Sequence, residues 1–224
     1  MKKAFTMLEL VFVIVVLGIL SYMVASSFQR NPLREAADQV VMHIRYTQHL
    51  AMMDDRFGDP KIPDPQFWYR TRWQIVFSTN DAAANRKPSY SIFRNLDYDV
   101  AVDRSELAKN PLSPDKYLTG GIPGYPNLDI TTANTFAGTT EMNLGTKYGV
   151  TNLTWTNNCS TGSKIGFDYL GRPMQGPMRT YASPYPTGGR LITADCNITL
   201  SNGVNNVIIT VKPETGYTYI SGQN

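Results

Sequence analysis

Hydrophobic and polar positions divide the chain into three stretches. From Leu10 to Ala25 nearly every residue is apolar, interrupted only by Gly18, Ser21 and Tyr22. As one helix, Phe5 to Phe28 would measure roughly 36 Å, enough to cross a hydrocarbon core of about 30 Å. Next come Leu33, Ala36, Ala37, Val40, Val41, Ile44, Leu50 and Ala51 at i, i+3, i+4 spacing, failing only at Thr47 and Gln48. That period predicts an amphipathic helix, with Arg34, Glu35, Asp38, Gln39 and Arg45 largely on its wet face. Pro32 should kink or divide the helical run, and Asp54-Asp55, Gly58 and Pro60 should stop it. Beyond Gly58, Pro, Gly, Asn and Asp punctuate short runs, the pattern of a β-rich domain. Strands are predicted over 73–78, 90–94, 164–170, 190–201, 205–212 and 217–221, with turns at Asn202-Gly203 and Glu214-Thr215-Gly216.

Composition narrows the chemistry. Of 224 residues, 11% are aromatic, too many for a disordered chain. The formal charge is +3, two of the positives being Lys2 and Lys3, so bulk charge gives no argument for a nucleic-acid partner. The two histidines, His43 and His49, fall on different faces of the predicted amphipathic helix, which excludes a His-dependent triad elsewhere. Two cysteines are too few for a Cys-ligated structural zinc site.

Three readings of the N-terminus follow from its residues. Ala25 and Ser27 are placed for signal cleavage before Phe28. An uncleaved anchor with its basic leader in the cytoplasm is the second. The third starts from Glu9, a carboxylate at the border of the apolar run, where charge is costly and usually functional. Ala4-Phe5-Thr6-Met7-Leu8-Glu9-Leu10, followed by the apolar run, resembles the leader junction of type IV pilins and pseudopilins, with Ala4 where most members carry Gly. The resemblance implies cleavage after Ala4 by a prepilin peptidase and N-methylation of Phe5. It also implies a Glu9 carboxylate that pairs with the Phe5 ammonium of a neighbouring subunit during assembly. Within one helix, Glu9 could instead touch Phe5 at i, i+4.

The C-terminal region resembles H-type minor pseudopilins of type II secretion and related minor pilins. The matching residues are Phe167-Asp168-Tyr169-Leu170-Gly171-Arg172 and Thr215-Gly216; Leu96 to Thr156 stay uncovered. In an exported domain Cys159 and Cys196 should form a disulfide closing a loop of roughly 38 residues, worth about 4 kcal/mol on the chain-entropy model.

Other candidate chemistries were weighed against plainer readings. Asn95, Asp97, Asp99, Asp103 and Glu106 occupy positions 1, 3, 5, 9 and 12 of an EF-like loop, but Val100 stands where Gly is needed. Calcium is therefore set beside a strand with a solvated acidic face. Lys164, Arg172, Arg179 and Arg190, interleaved with Tyr169, Tyr181 and Tyr185, could hold single-stranded DNA, or could simply be cations at strand ends and turns. Asp97 and Asp99 could serve as a carboxylate pair on a polysaccharide. Asn152, Asn158 and Asn197 each open an Asn-x-Ser/Thr triplet, which a Thr-rich chain produces by chance.

The expected fold is α+β: a long N-terminal helix, half membrane-spanning and half amphipathic, packed on a small antiparallel β-domain in the manner of pilins. The expected parts are a leader at 1–4, a transmembrane and assembly helix at 5–28, an amphipathic stalk at 29–57 and a β-rich domain at 58–224. The expected function is that of a non-enzymatic filament subunit without a cofactor. It would sit as a single-pass protein in the bacterial inner membrane, its C-terminal domain in the periplasm or an extracellular filament. The closest expectation is a minor pseudopilin of type II secretion; the alternative is a minor pilin of a type IV pilus or DNA-uptake filament. Expected partners are other pilin subunits, the prepilin peptidase, an inner-membrane assembly platform and, before assembly, the lipid bilayer.

Overall fold

The computed structural model describes residues 6–27, 31–59, 62, 64–132, 135–157, 159, 163–188 and 190–224. The backbone separates into two units, Met1–Asn31 and Pro32–Asn224.

The first unit holds helix α1, Met7–Ser27. Its large apolar side chains from Leu10 to Met23 are all exposed and follow one another with few gaps, so they surround the helix. The expectation of a membrane-spanning segment, and with it the single-pass inner-membrane location, is overturned: among the described residues no helix is long and apolar enough to cross a membrane. Glu9 stands in the first turn of α1. Between it and the end of α1 at Ser27 the uncharged run is about 18 residues, or roughly 27 Å of helix, short of a hydrocarbon core of about 30 Å. The rest of the fold class stands as α+β with antiparallel sheets.

In the second unit, helix α2 (Pro32–Met53) begins on the proline, which suits a first helical position because its missing N–H would have no partner there. Its buried face carries Leu33, Ala36, Ala37, Val40, Val41, His43, Ile44, Thr47 and Ala51. Thr47 does not interrupt that face, because its hydroxyl donates to the His43 carbonyl one turn back at 2.8 Å. Full burial of each large aliphatic here is worth about 1.5–3 kcal/mol. The helix ends at Asp54, whose carboxylate accepts from Trp73 Nε1 at 2.8 Å and pairs with Arg56 at 2.8 Å and with Arg94. Those partners offset a negative charge placed against the negative end of the helix dipole.

The strands are β1 (Trp73–Ser78), β2 (Ser89–Arg94), β3 (Lys109–Asn110), β4 (Ser113–Tyr117), β5 (Asn152–Asn157), β6 (Lys164–Phe167), β7 (Pro173–Gln175), β8 (Cys196–Ser201), β9 (Asn206–Val211) and β10 (Thr218–Gln223). They form two four-stranded antiparallel sheets, ordered β2-β1-β6-β7 and β10-β9-β8-β5, with β3 and β4 as a separate pair. Alternation sets the inner faces: Cys196, Ile198 and Leu200 on β8 point inward and Asn197, Thr199 and Ser201 do not. Helix α2 lies against both sheets, so Ile44, Ile75, Phe77, Ile92, Ile165, Ile198 and Ile209 belong to one core. The segment between β2 and β5 adds the β3–β4 pair, a short helix α3 (Leu144–Tyr148) and a second core in which Leu107, Ile122 and Leu128 pack with Phe93 of β2.

Strand β1 lies where the sequence places it, and β2, β9 and β10 fall within two residues of expectation. The strand expected from Arg190 begins only at Cys196, because Leu191 makes just an isolated bridge to Met174. Two strands lie outside the expected ones: β7 is only three residues long, whereas β5 alternates at Leu153 and Trp155 and carries a strand signal that the expected set lacks. The expected disulfide joins Cys159 to Cys196, with Cα atoms 5.2 Å apart, tying the end of edge strand β5 to β8.

Candidate functional site

At the start of α1, Thr6 and Glu9 cap the helix reciprocally. The Glu9 N–H donates to Thr6 Oγ1 at 3.3 Å, while the Thr6 N–H and hydroxyl donate to the Glu9 carboxylate at 2.8 and 2.9 Å. This is a capping box, and the Thr-x-x-Glu pattern ahead of an apolar run is its sequence signal. Ala4 and Phe5, the expected processing residues, lie outside the described residues, as does any Phe5–Glu9 contact.

The acidic segment after β2 is organised by its own backbone. Glu106, 2% exposed, accepts from the N–H groups of Leu96 and of Asp103, the latter at 3.0 Å. Burial pushes its pKa up and those two N–H groups oppose the rise. Asp97 Oδ1 accepts from the Asp99 N–H at 3.2 Å, Asp103 Oδ1 accepts from the Tyr125 hydroxyl at 2.8 Å, and buried Asn95 donates to the Asp99 carbonyl at 2.9 Å. The Asp97, Asp103 and Glu106 oxygens weighed for calcium thus serve as local acceptors, while Asn95 Oδ1 is buried without a partner among the described residues. Among the described residues no group of three or more His, Cys, Asp or Glu side chains could hold a metal ion. Asp97 and Asp99, weighed as a carboxylate pair, are exposed on this same turn.

The basic and aromatic residues fall into pairs. Arg172 donates from Nε to Asp168 at 2.8 Å and lies over the Tyr185 ring at 4.7 Å. Arg190 lies over Tyr181 at 5.4 Å, but that ring is 1% exposed and offers no face for stacking. Lys164 borders a recess with Arg179; burial first, and then Arg179, lowers its pKa.

Two features escaped the sequence reading. Gln48 Nε2 on α2 donates to the carbonyls of Gly171 at 2.8 Å and Thr215 at 2.7 Å, bridging turns that follow β6 and β9. These are the two turns that carried the H-type resemblance. Both need glycine: Gly171 and Gly216 have φ of +81° and +64°, and a Cβ on Gly216 would sit 2.5 Å from Gln48 Nε2 and 2.7 Å from the Gly171 oxygen. The second is a polar knot around Asp168, which is fully buried. Besides Arg172 Nε it accepts from the N–H groups of Leu170 at 3.0 Å and Arg172 at 2.8 Å, and from the Tyr185 hydroxyl at 3.1 Å. Arg72, 6% exposed, stacks on the same Tyr185 at 5.1 Å and on Trp68 at 5.3 Å, and donates to the Pro184 carbonyl at 2.8 Å. In front of the knot, Phe57, Trp68, Tyr169 and Tyr185 line an open groove of about 610 Å³.

No protein-family model, curated protein or solved structure matches this chain.

Proposed function

We propose that this chain is a structural subunit of a type IV pilus-like filament, of the minor pseudopilin kind, assembled through α1. The observation that carries the reading is an exposed helix, apolar all round, with one carboxylate capped into its first turn. A helix apolar on every side is buried in its working state, and copies of related helices are the proposed cover. Each large side chain so covered would gain about 1–2 kcal/mol, set against an association cost of about 4–15 kcal/mol. Enclosed in such a bundle, Glu9 needs a cationic partner, because an unpaired buried charge costs several kcal/mol. The N-terminal ammonium of a neighbour is the proposed partner, taken up as the carboxylate leaves Thr6. The remaining partners of this proposal are the prepilin peptidase that would expose that ammonium and the platform that would receive the subunit.

Both cysteines are in the disulfide, so a Leu17→Cys chain carries one reactive thiol. Oxidation in the native host should give disulfide adducts with a second copy or another subunit of the same kind, identified by mass spectrometry. Glu9→Ala in the same background should reduce those adducts at unchanged expression. A chain that stays monomeric under oxidation refutes the assembly reading, and undiminished adducts from Glu9→Ala refute the role of Glu9.

A further inference from the structure

Just past α2, Phe57 stands 75% exposed, its ring edge to face with Trp68 at 5.7 Å. Tyr169 and Tyr185, 44% and 37% exposed, line the same groove with Ser183 and Pro184. At about 610 Å³ it has the size of a small-ligand site. Two of its four rings are held from behind by the Asp168 knot, Tyr185 through its hydroxyl and both Trp68 and Tyr185 by the Arg72 guanidinium. Rings already ordered by their own scaffold lose little freedom when a ligand arrives.

Charge selects the occupant. Among the described residues Asp55 is the one charged side chain in the lining, with Oδ1 taken by the Phe57 N–H at 3.0 Å. A nucleic-acid strand needs cations along its phosphates, and the described residues of this lining include none. A cationic ligand would meet Trp68 and Tyr185 rings that already carry a guanidinium. What suits aromatic faces beside a carboxylate and a serine is a neutral molecule with flat C–H faces and many hydroxyls. A smaller recess bounded by the same Asp55, Trp68 and Tyr169 reaches Arg72, whose Nε and Nη2 are buried and meet no partner among the described residues. Its volume of about 10 Å³ suits one oxygen atom.

We propose that this groove binds a neutral β-linked saccharide chain. Sugar rings would lie on Tyr169 and the Phe57–Trp68 pair, with ring hydroxyls donating to Asp55 and one oxygen accepting from Arg72. Equatorial β-linkages keep successive rings flat, as a line of aromatic faces requires. The site involves no residue of α1, so the proposal stands or falls apart from the filament reading.

The test uses the full chain, kept soluble in a zwitterionic detergent that contains no sugar. Tryptophan emission and saturation-transfer NMR are followed during titration with cellohexaose and chitohexaose. Saturable binding of at least one hexasaccharide is expected, weakened about tenfold or more by Tyr169→Ala and by Phe57→Ala, a loss each truncation of a stacking face should cause. Leu112→Ala, on the exposed β3–β4 turn, should bind as the parent does. The proposal is overturned if neither sugar binds up to about 10 mM, or if both groove variants bind as the parent does. It is equally overturned if an oligothymidine or a polyproline peptide occupies the groove more tightly than either sugar.

Discussion

His43 makes the stability of the β-rich unit depend on pH in a way that can be sized. The imidazole is on the inward face of α2, 8% exposed, with Nδ1 2.7 Å from the Tyr90 hydroxyl of β2. Burial holds its pKa down from 6.5 to about 4, with Glu141 pulling weakly the other way. The unfolded chain takes up this proton near pH 6.5, whereas the folded chain refuses it until about pH 4. Between those values the unfolded state binds more protons, so stability falls as pH falls. The loss begins at the unfolded pKa and is complete below the folded one. At 1.36 kcal/mol per pKa unit it amounts to about 3 kcal/mol in full, of which about 2 kcal/mol is gone by pH 5 and almost none at pH 7.

All three tryptophans, Trp68, Trp73 and Trp155, belong to the unit that contains His43, so their emission during urea unfolding reports that unit. His43→Gln removes the titration and keeps a polar group opposite Tyr90. Carboxylates contribute to both proteins alike. Glu141 stays ionised through this window: burial raises its pKa, but hydrogen bonds from its own N–H, Thr140 and Lys147 together lower it. Unfolding free energies measured at pH 7, 6 and 5 should therefore converge, the parent losing about 2 kcal/mol more than the variant. Parallel curves, within about 0.5 kcal/mol from pH 7 to 5, would show that the ring protonates without cost and refute the reasoning.

Reducing the Cys159–Cys196 bond releases a loop of separation 37 and should lower stability by about 4 kcal/mol on the chain-entropy model, read as a lower melting temperature with reductant. Gln48→Ala should cost about 1–3 kcal/mol through the loss of two hydrogen bonds, with faster amide exchange confined to the turns at 168–172 and 213–217. Gly216→Ala, forced into positive φ against Gln48, should cost at least as much in the same denaturation assay. Asp168→Ala should cost about 3 kcal/mol and shift the near-ultraviolet signal of the tyrosines, since it frees Tyr185 and leaves the charged Arg172 unpaired.

What could be read in the chain was what repeats. The spacing of Leu33, Val40, Ile44 and Ala51 gave α2 because one face of a helix meets the core every three or four residues. The alternation at Trp73–Ser78 gave one central strand for the matching reason in sheets, and the turn residues on either side of Asn206–Val211 gave another. Thr47 and Gln48 looked like a break in that helical stripe, yet one closes on its own backbone and the other ties the two sheets' turns together. Lone polar residues on an apolar face carry no sign of where their partners are.

The groove was hidden for the same reason, carried further. Arg72, Asp168 and Tyr185 have no shared periodicity and no motif, and they meet only because the residue leading into β1, the turn after β6 and the loop before β8 converge. A buried guanidinium must find partners or lose much of its hydration free energy. Arg72 finds one carbonyl, the Met174 sulfur and two ring faces, and its Nε and Nη2 nitrogens are left without a partner among the described residues. Core packing does not ask for an arginine there; an apolar side chain of similar volume would bring no such cost. A cost of that kind, set against exposed aromatic rings, is better explained by something that binds there than by the fold, and the saccharide titration asks what it is.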